Sequence, residues 1–375
     1  MDNNRLRDIL QRNDKGSLPA FINSDPDLCK FEDGMMKLGN YAARVPRGSL
    51  SSWIWSKRAE LGIDHAIELL DRFVTSTGIP GYEYIVIQGL KIDAAFDLSK
   101  EISVLPFWAL PETFSKQHCA NVLKEHDPSS RLLSELVVIR KSSLSNPKFL
   151  LSDEEAKQVR SKVLFISAKR ELVDAAQCLT VLGPSSPTIV ADTLWYPEDW
   201  IPCIPHGSGF ALTISDLRNL FIYHLTEEDK TKARNIYEAY SKLPTNTKTK
   251  LQVCLDRLNR ASCRISNVDL AIELGIAMEA VFLNDVSNDG EYTFRLRLRA
   301  ARLLGEDRQS RQRVFILFRD LYKCRSQAVH TGRVDDTINK NSTTEVLREG
   351  RSLVARAIEM IIQNGWPDWD DIVLG

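Results

Sequence analysis

The chain has 375 residues, 43% of them apolar and 26% charged, with 49 basic against 50 acidic side chains. That length and apolar content allow one large packed domain or two smaller ones, and a net charge of −1 argues against nucleic-acid binding driven by whole-chain charge. The seven cysteines are scattered without a CxxC pair, which argues against a zinc site of the usual spacing, and no run approaches about 18 consecutive apolar residues, so no membrane span is expected.

The N-terminus, MDNNRLRDILQRNDKG, lacks the apolar centre of a signal peptide, and a reducing cytoplasm is the expected location. Residues 51–78, SSWIWSKRAELGIDHAIELLDRFVTSTG, predict one helix with Ile63, Ile67, Leu70 and Phe73 on its apolar stripe. YEYIVIQGLKID (82–93) and RLLSELVVIRK (131–141) are rich in β-branched and aromatic residues and predict strands. Between them VLPFWALPETF (104–114), with two prolines, reads as irregular. A capping box from Ser152 to Glu155 opens a predicted helix that runs to Leu182 and stops at Gly183-Pro184. Residues 183–210 form a proline- and aromatic-rich crossing segment. Its Trp195, Tyr196 and Trp200 suit either a recognition surface or aromatic core packing. His206, in IPHGSG, is isolated and reads as structural.

From Ile214 onward the pattern turns helical, with candidates at 214–224, 226–242, 246–262, 266–284, 292–304, 307–330 and 343–364. The expected architecture is therefore α+β: a mixed α/β domain over 1–210, then an all-α helical bundle over 211–375. Charge is uneven within the second half. From Glu291 to Arg333 ten arginines and one lysine stand against four carboxylates, a local +7. Such a segment is either a footprint for a polyanion or a solvated helix face.

Arginine precedes histidine at short spacing three times, in Arg58–His65, Arg218–His224 and Arg325–His330. Spacing alone does not choose among them. Leu220, Phe221, Ile222 and Tyr223 crowd the second pair with apolar bulk. The third pair has a chemical context. Val314, Phe318, Leu321 and Arg325 follow one another by helical steps, so Arg325 continues an apolar stripe and needs an anionic partner. His330 comes just before Thr331-Gly332, where the helix should end. On an ideal helix the two side chains diverge by about 140°. They converge only through arginine's reach, a distorted terminus, or a second subunit.

Three segments, in order, give the C-terminal half a family likeness. They are DLAIELGIAMEAVFL (269–283), GEYTFRLRLRAARLLG (290–305) and FRDLYKCRSQAVHTG (318–332). Together they resemble an Apea-like HEPN domain over about residues 226–364. One departure is that Thr331 stands between His330 and Gly332, where the family has glycine directly after histidine. The resemblance implies a cofactor-free, metal-independent endoribonuclease acting on RNA as a homodimer, with two Arg–His motifs facing across a two-fold axis. It implies catalytic roles for Arg325 and His330, with Ser326 orienting Arg325 or a phosphate oxygen, or else bonding backbone at the helix end. Glu279 would pair with Arg325, or lie as a plain surface carboxylate. Arg295, Arg299 and Arg302 share one face of their helix and would contact the RNA backbone, or form a solvated face. The resemblance further implies a role in bacterial anti-phage defence by abortive infection, with the N-terminal half as the regulatory module and a phage-derived or protein trigger. The alternative is a non-catalytic HEPN module that binds RNA, a nucleotide or a partner protein.

Overall fold

The computed structural model describes residues 1–32, 34–38, 41–76, 79–111, 114–126, 131–145, 148–150, 167–195, 211–212, 222–285 and 291–374. The architecture is α+β, an antiparallel sheet followed by a helical C-terminal region.

Four helices come first: α1 (Asn3–Gln11), α2 (Ser17–Ser24), α3 (Ser49–Leu61) and α4 (Ile63–Thr75), with strands β1 (Met35–Leu38) and β2 (Tyr41–Arg44) between α2 and α3. Leu6, Leu10, Phe21, Ile54, Leu70 and Phe73 close this unit's own apolar cluster. The single helix expected over 51–78 is two. Gly62 breaks it at φ +89°, a conformation that costs glycine little and other residues much.

The main sheet uses β3 (Ile79–Gln88), the two-residue β4 (Leu90–Lys91) leaving it, β5 (Phe96–Asp97), β6 (Ile102–Pro106), and, after helices α5 (Phe114–His126) and α6 (Arg131–Ser134), β7 (Val137–Ser145). A short β8 (Lys148–Leu150) pairs with β1. Helix α7 (Ser167–Cys178) and strands β9 (Thr188–Trp195) and β10 (Ala211–Leu212) complete it, in the order β10-β9-β3-β7-β6-β5. The strand register, Ile85 opposite Ile139 and Val86 opposite Val138, sends alternate residues to opposite faces. Ile85, Ile87, Val104 and Ile139 face the larger core, while Tyr84, Val86, Leu105 and Val138 face α5 and α6. Val104–Pro106, expected to be irregular, are therefore strand: Pro106 lies at the end of β6, where a missing N–H is tolerated. Within RLLSELVVIRK the first four residues are the helical turn α6, and the strand begins only at Val137. The crossing segment 183–210 contributes β9, which the prolines on either side had masked.

The C-terminal part begins with β11 (Tyr223–His224), laid parallel to β4; of the helix expected over 214–224, residues 214–221 lie outside the described residues and Tyr223–His224 are strand. Then come α8 (Glu227–Ser241), α9 (Thr245–Cys263), α10 (Asn267–Phe282), α11 (Tyr292–Leu304), α12 (Arg308–Thr331), the hairpin β12 (Thr337–Ile338) and β13 (Asn341–Ser342), α13 (Thr343–Asn364) and α14 (Trp369–Leu374). The helix spans expected from 226 onward agree with these within about two residues. Helix α10 is apolar on most of its circumference, as a helix at the centre of a bundle must be, and it touches α9, α11, α12 and α13. One continuous apolar cluster runs from Ile85 and Ile139 of the sheet through α7 to Phe282, Phe318 and Ile358 of the helices. Trp200, Tyr196, His206, Arg218 and the Ser152–Glu155 box lie outside the described residues, as does the side chain of Trp195.

Candidate functional site on helices α10 and α12

Helix α12 opens on a capping box, in which the Asp307 side chain accepts from Ser310 N and the Ser310 hydroxyl accepts from Asp307 N. It then runs to Thr331. Val314, Phe318, Leu321, Cys324 and Ala328 are buried and set its rotation. Two glycines let neighbouring helices approach closely. A Cβ at Gly350 of α13 would lie 2.4 Å from the Leu321 methyls, and one at Gly275 of α10 would lie 2.3 Å from Arg325 Cγ. The stem of Arg325 therefore lies in a notch on α10.

From that notch the guanidinium reaches Glu279, one turn further along α10. Arg325 Nη2 stands 3.4 Å from Glu279 Oε1, with side-chain exposures of 26% and 32%. Its carbon is 5.7 Å from the centre of the Tyr322 ring. The arginine is thus positioned but only loosely neutralised, and it keeps donors for a further anion. Ser326 is half-buried, and its hydroxyl makes no hydrogen bond among the described residues.

His330 is exposed and, among the described residues, has no hydrogen-bond or ion-pair partner. It stands on a different side of α12 from Arg325. Gln312, Ile316, Arg319, Lys323, Ser326 and His330 succeed each other by three- and four-residue steps and form the outer stripe. Thr331 does not break the helix. Its hydroxyl donates to Gln327 O at 2.8 Å and accepts from Arg333 N, while Gly332 takes the left-handed cap at φ +66°. The terminal turn therefore comes one residue past the histidine, and His330 stays on regular helix.

The chain beyond is pinned back to α12. Asp320, buried, accepts from Asn339 Nδ2 at 2.6 Å and from Arg319 Nε at 2.9 Å. Asn339 and Lys340 both have positive φ, as a two-residue hairpin turn needs. Gln327 also donates to Asp335 Oδ2 at 2.5 Å.

The three arginines of α11 do not act together. Arg299 turns inward, donating to both oxygens of Asp285 at 2.6 and 3.0 Å and to Phe282 O at 2.7 Å. It is buried, and it is not on a surface that RNA could reach. Leu296, Ala300 and Leu304 define the inner face and carry position 299 with them. Arg295 and Arg302 are half-exposed. Burial pushes the Asp285 carboxyl up, but the Arg299 bonds outweigh it and hold it below the usual range.

A cleft of about 280 Å³ opens beside the arginine, lined by Glu279, Leu283, Tyr292 and Tyr322. Sequence reading missed it, since Tyr292 and Tyr322 lie on separate helices. It also passed over Gly275, although a glycine inside an apolar helix is the signal of close packing.

Arg58 and His65 turn to separate partners, and of the Arg218–His224 pair only His224 lies among the described residues. Arg58 bonds Asn13 Oδ1 at 3.0 Å and His65 faces Glu68. His224 is 2.9 Å from Asp93. Among the described residues, no group of three His, Cys, Asp or Glu side chains is placed to hold a metal ion, the six cysteines are unpaired, and no helix is long and apolar enough to cross a membrane. Comparisons with protein-family models, curated proteins and solved structures match nothing to this chain.

Proposed function

We propose that the protein is a HEPN-type endoribonuclease that needs no metal and acts as a homodimer. The observation that carries this reading is the Arg325 guanidinium, seated at Gly275 and loosely countered by Glu279, on the same helix end as exposed His330. In the proposed reaction one imidazole takes the proton of a ribose 2′-hydroxyl. The 2′-oxygen bonds to the adjacent phosphorus, the bond from phosphorus to the 5′-oxygen breaks, and that oxygen takes a proton from a second imidazole. Arg325 donates to the phosphoryl oxygens as charge builds there. The products are a 2′,3′-cyclic phosphate and a 5′-hydroxyl. RNA brings its own nucleophile, so the chemistry does not call for a metal to generate one.

A second copy supplies what one chain lacks, because Arg325 and His330 diverge around α12. Two such helices facing each other bring Arg319, Lys323 and His330 of both stripes together. Like charges oppose that approach unless a polyanion lies between them. RNA is the polyanion. In this proposal the N-terminal half holds the nuclease inactive until a phage-derived or protein trigger arrives, in the manner of abortive infection.

The rival is a non-catalytic module that binds RNA, a nucleotide or a partner protein, and the divergence of the two side chains within one chain favours it if the protein stays monomeric. The test is a paired assay. The protein and its His330→Ala variant are incubated with total RNA in EDTA, and the new ends are identified. Cyclic-phosphate ends from the parent alone support the nuclease. Equal cleavage by both would show that His330 plays no part in it.

A further inference from the structure

We infer that the cleft beside Arg325 is a base-reading pocket that selects guanine next to the phosphate held by that arginine. The inference deepens the nuclease reading and rests on it for the phosphate.

Its lining is what a single nucleobase needs. Tyr292 of α11 and Tyr322 of α12 bring two aromatic side chains to the cleft, Leu283 adds apolar surface, and Glu279 contributes a carboxylate. Tyr292 is 37% exposed, so its ring is accessible to a stacking partner. Bases are recognised in single strands by stacking on aromatic faces and by hydrogen bonds along their Watson–Crick edge. At about 280 Å³ the space lies at the small end for ligand clefts and suits one flat ring system.

The charges specify which part of a nucleotide goes where. Glu279 repels a phosphate from the cleft itself, while Arg325, 3.4 Å from Glu279 Oε1, attracts one at its rim. The Oε2 atom of Glu279 accepts no hydrogen bond among the described residues. The occupant must therefore be a planar group that presents N–H donors to a carboxylate, joined to an anion. Guanine offers two adjacent donors, N1–H and the N2 amino group, on one edge. Cytosine and adenine each set a ring-nitrogen acceptor beside their amino group, and uracil flanks its one N–H with two carbonyls. A carboxylate therefore discriminates for guanine.

The experiment is calorimetric binding of 3′-GMP, 3′-AMP, 3′-CMP and 3′-UMP to the full chain and to Glu279→Gln and Tyr292→Leu. The expected result is GMP binding about tenfold or more tighter than the others, the discrimination typical of one good paired contact. Glu279→Gln should lose that preference, and Tyr292→Leu should weaken all four nucleotides. Equal affinity for the four, no measurable binding, or a preference that survives Glu279→Gln would overturn the inference. Mapping cut sites separates it from the broader reading. Cleavage without base preference would sink the pocket and leave the nuclease standing, whereas GMP selectivity without cleavage would leave the pocket standing as a nucleotide-binding site.

Discussion

Arg325 reaches Glu279 only because residue 275 has no side chain. Gly275→Ala would put a methyl group 2.3 Å from Arg325 Cγ, at the stem of the side chain where it cannot swing clear. Overpacking of this kind costs roughly 1–3 kcal/mol. The variant should unfold at lower denaturant and bind RNA less well, and normal RNA binding would show that the notch does not hold the arginine. His330→Ala should alter stability by no more than about 0.5 kcal/mol, as exposed residues do, so lost cleavage in it cannot be blamed on unfolding. Arg299 is the opposite case, a buried arginine with a structural role. Arg299→Met should destabilise the protein by about 2–3 kcal/mol at neutral pH, the loss of charged hydrogen bonds. The pH dependence has a definite sign. Asp285 titrates lower in the folded chain than unfolded, so its contribution is present above the ordinary carboxylate pKa of about 4 and fades as pH falls through the folded value. The stability gap between parent and Arg299→Met should therefore narrow below about pH 4.

At the scale of elements, α12 carries three faces with separate duties. Its inner face packs through Phe318, Leu321 and Cys324. Arg325 and Tyr322 border the cleft. The outer stripe presents Arg319, Lys323 and His330. If RNA lies on that stripe, Lys323→Glu should reduce RNA affinity on every sequence and flatten its salt dependence, since phosphate contacts carry little base information. An unchanged salt slope would remove Lys323 from the interface. Of the three aligned arginines of α11, Arg299 faces inward, held by Asp285 and Phe282 O. A paired arginine can occupy a core row, and only the position of Asp285 on the loop after α10 reveals that pairing.

Across the whole molecule, the sheet and the helical bundle share one apolar cluster, and Arg351 stitches them. Its guanidinium donates to Thr180 O and Ser185 O at 3.0 and 2.9 Å, to Gly183 O, and to Ser262 Oγ at 2.8 Å. Burial pushes its pKa down to about 10, so it remains charged at neutral pH and is balanced by carbonyls at the end of the 179–181 turn. Arg351→Met should cost about 2–4 kcal/mol by leaving those carbonyls unpaired. Hydrogen exchange should then show β3 and α13 losing protection together, while α1–α4, with a cluster of their own, follow a separate course. Dimerisation belongs to the same scale. Two basic stripes should associate weakly alone and more tightly with RNA, which sedimentation with and without a short oligonucleotide would reveal.

The amino-acid sequence by itself determined the C-terminal helices, because their apolar residues recur at helical spacing and their caps are local. It marked the central strands β3 and β7 through their β-branched and aromatic residues. It also singled out Arg325, His330 and Glu279 as chemically notable residues. Tertiary structure alone decided the rest. The break at Gly62 depends on a φ that leaves no mark on periodicity, and β9 and β11 form because partners more than a hundred residues away lie alongside them. Whether an arginine is a ligand or a strut depends on whether a carboxylate arrives from another element. Asp285 reaches Arg299 and buries it, while Glu279 stands a little farther from Arg325 and leaves it half-open. The cleft between Tyr292 and Tyr322 exists only where three helices meet, since a concave surface is a property of packing and not of any one segment.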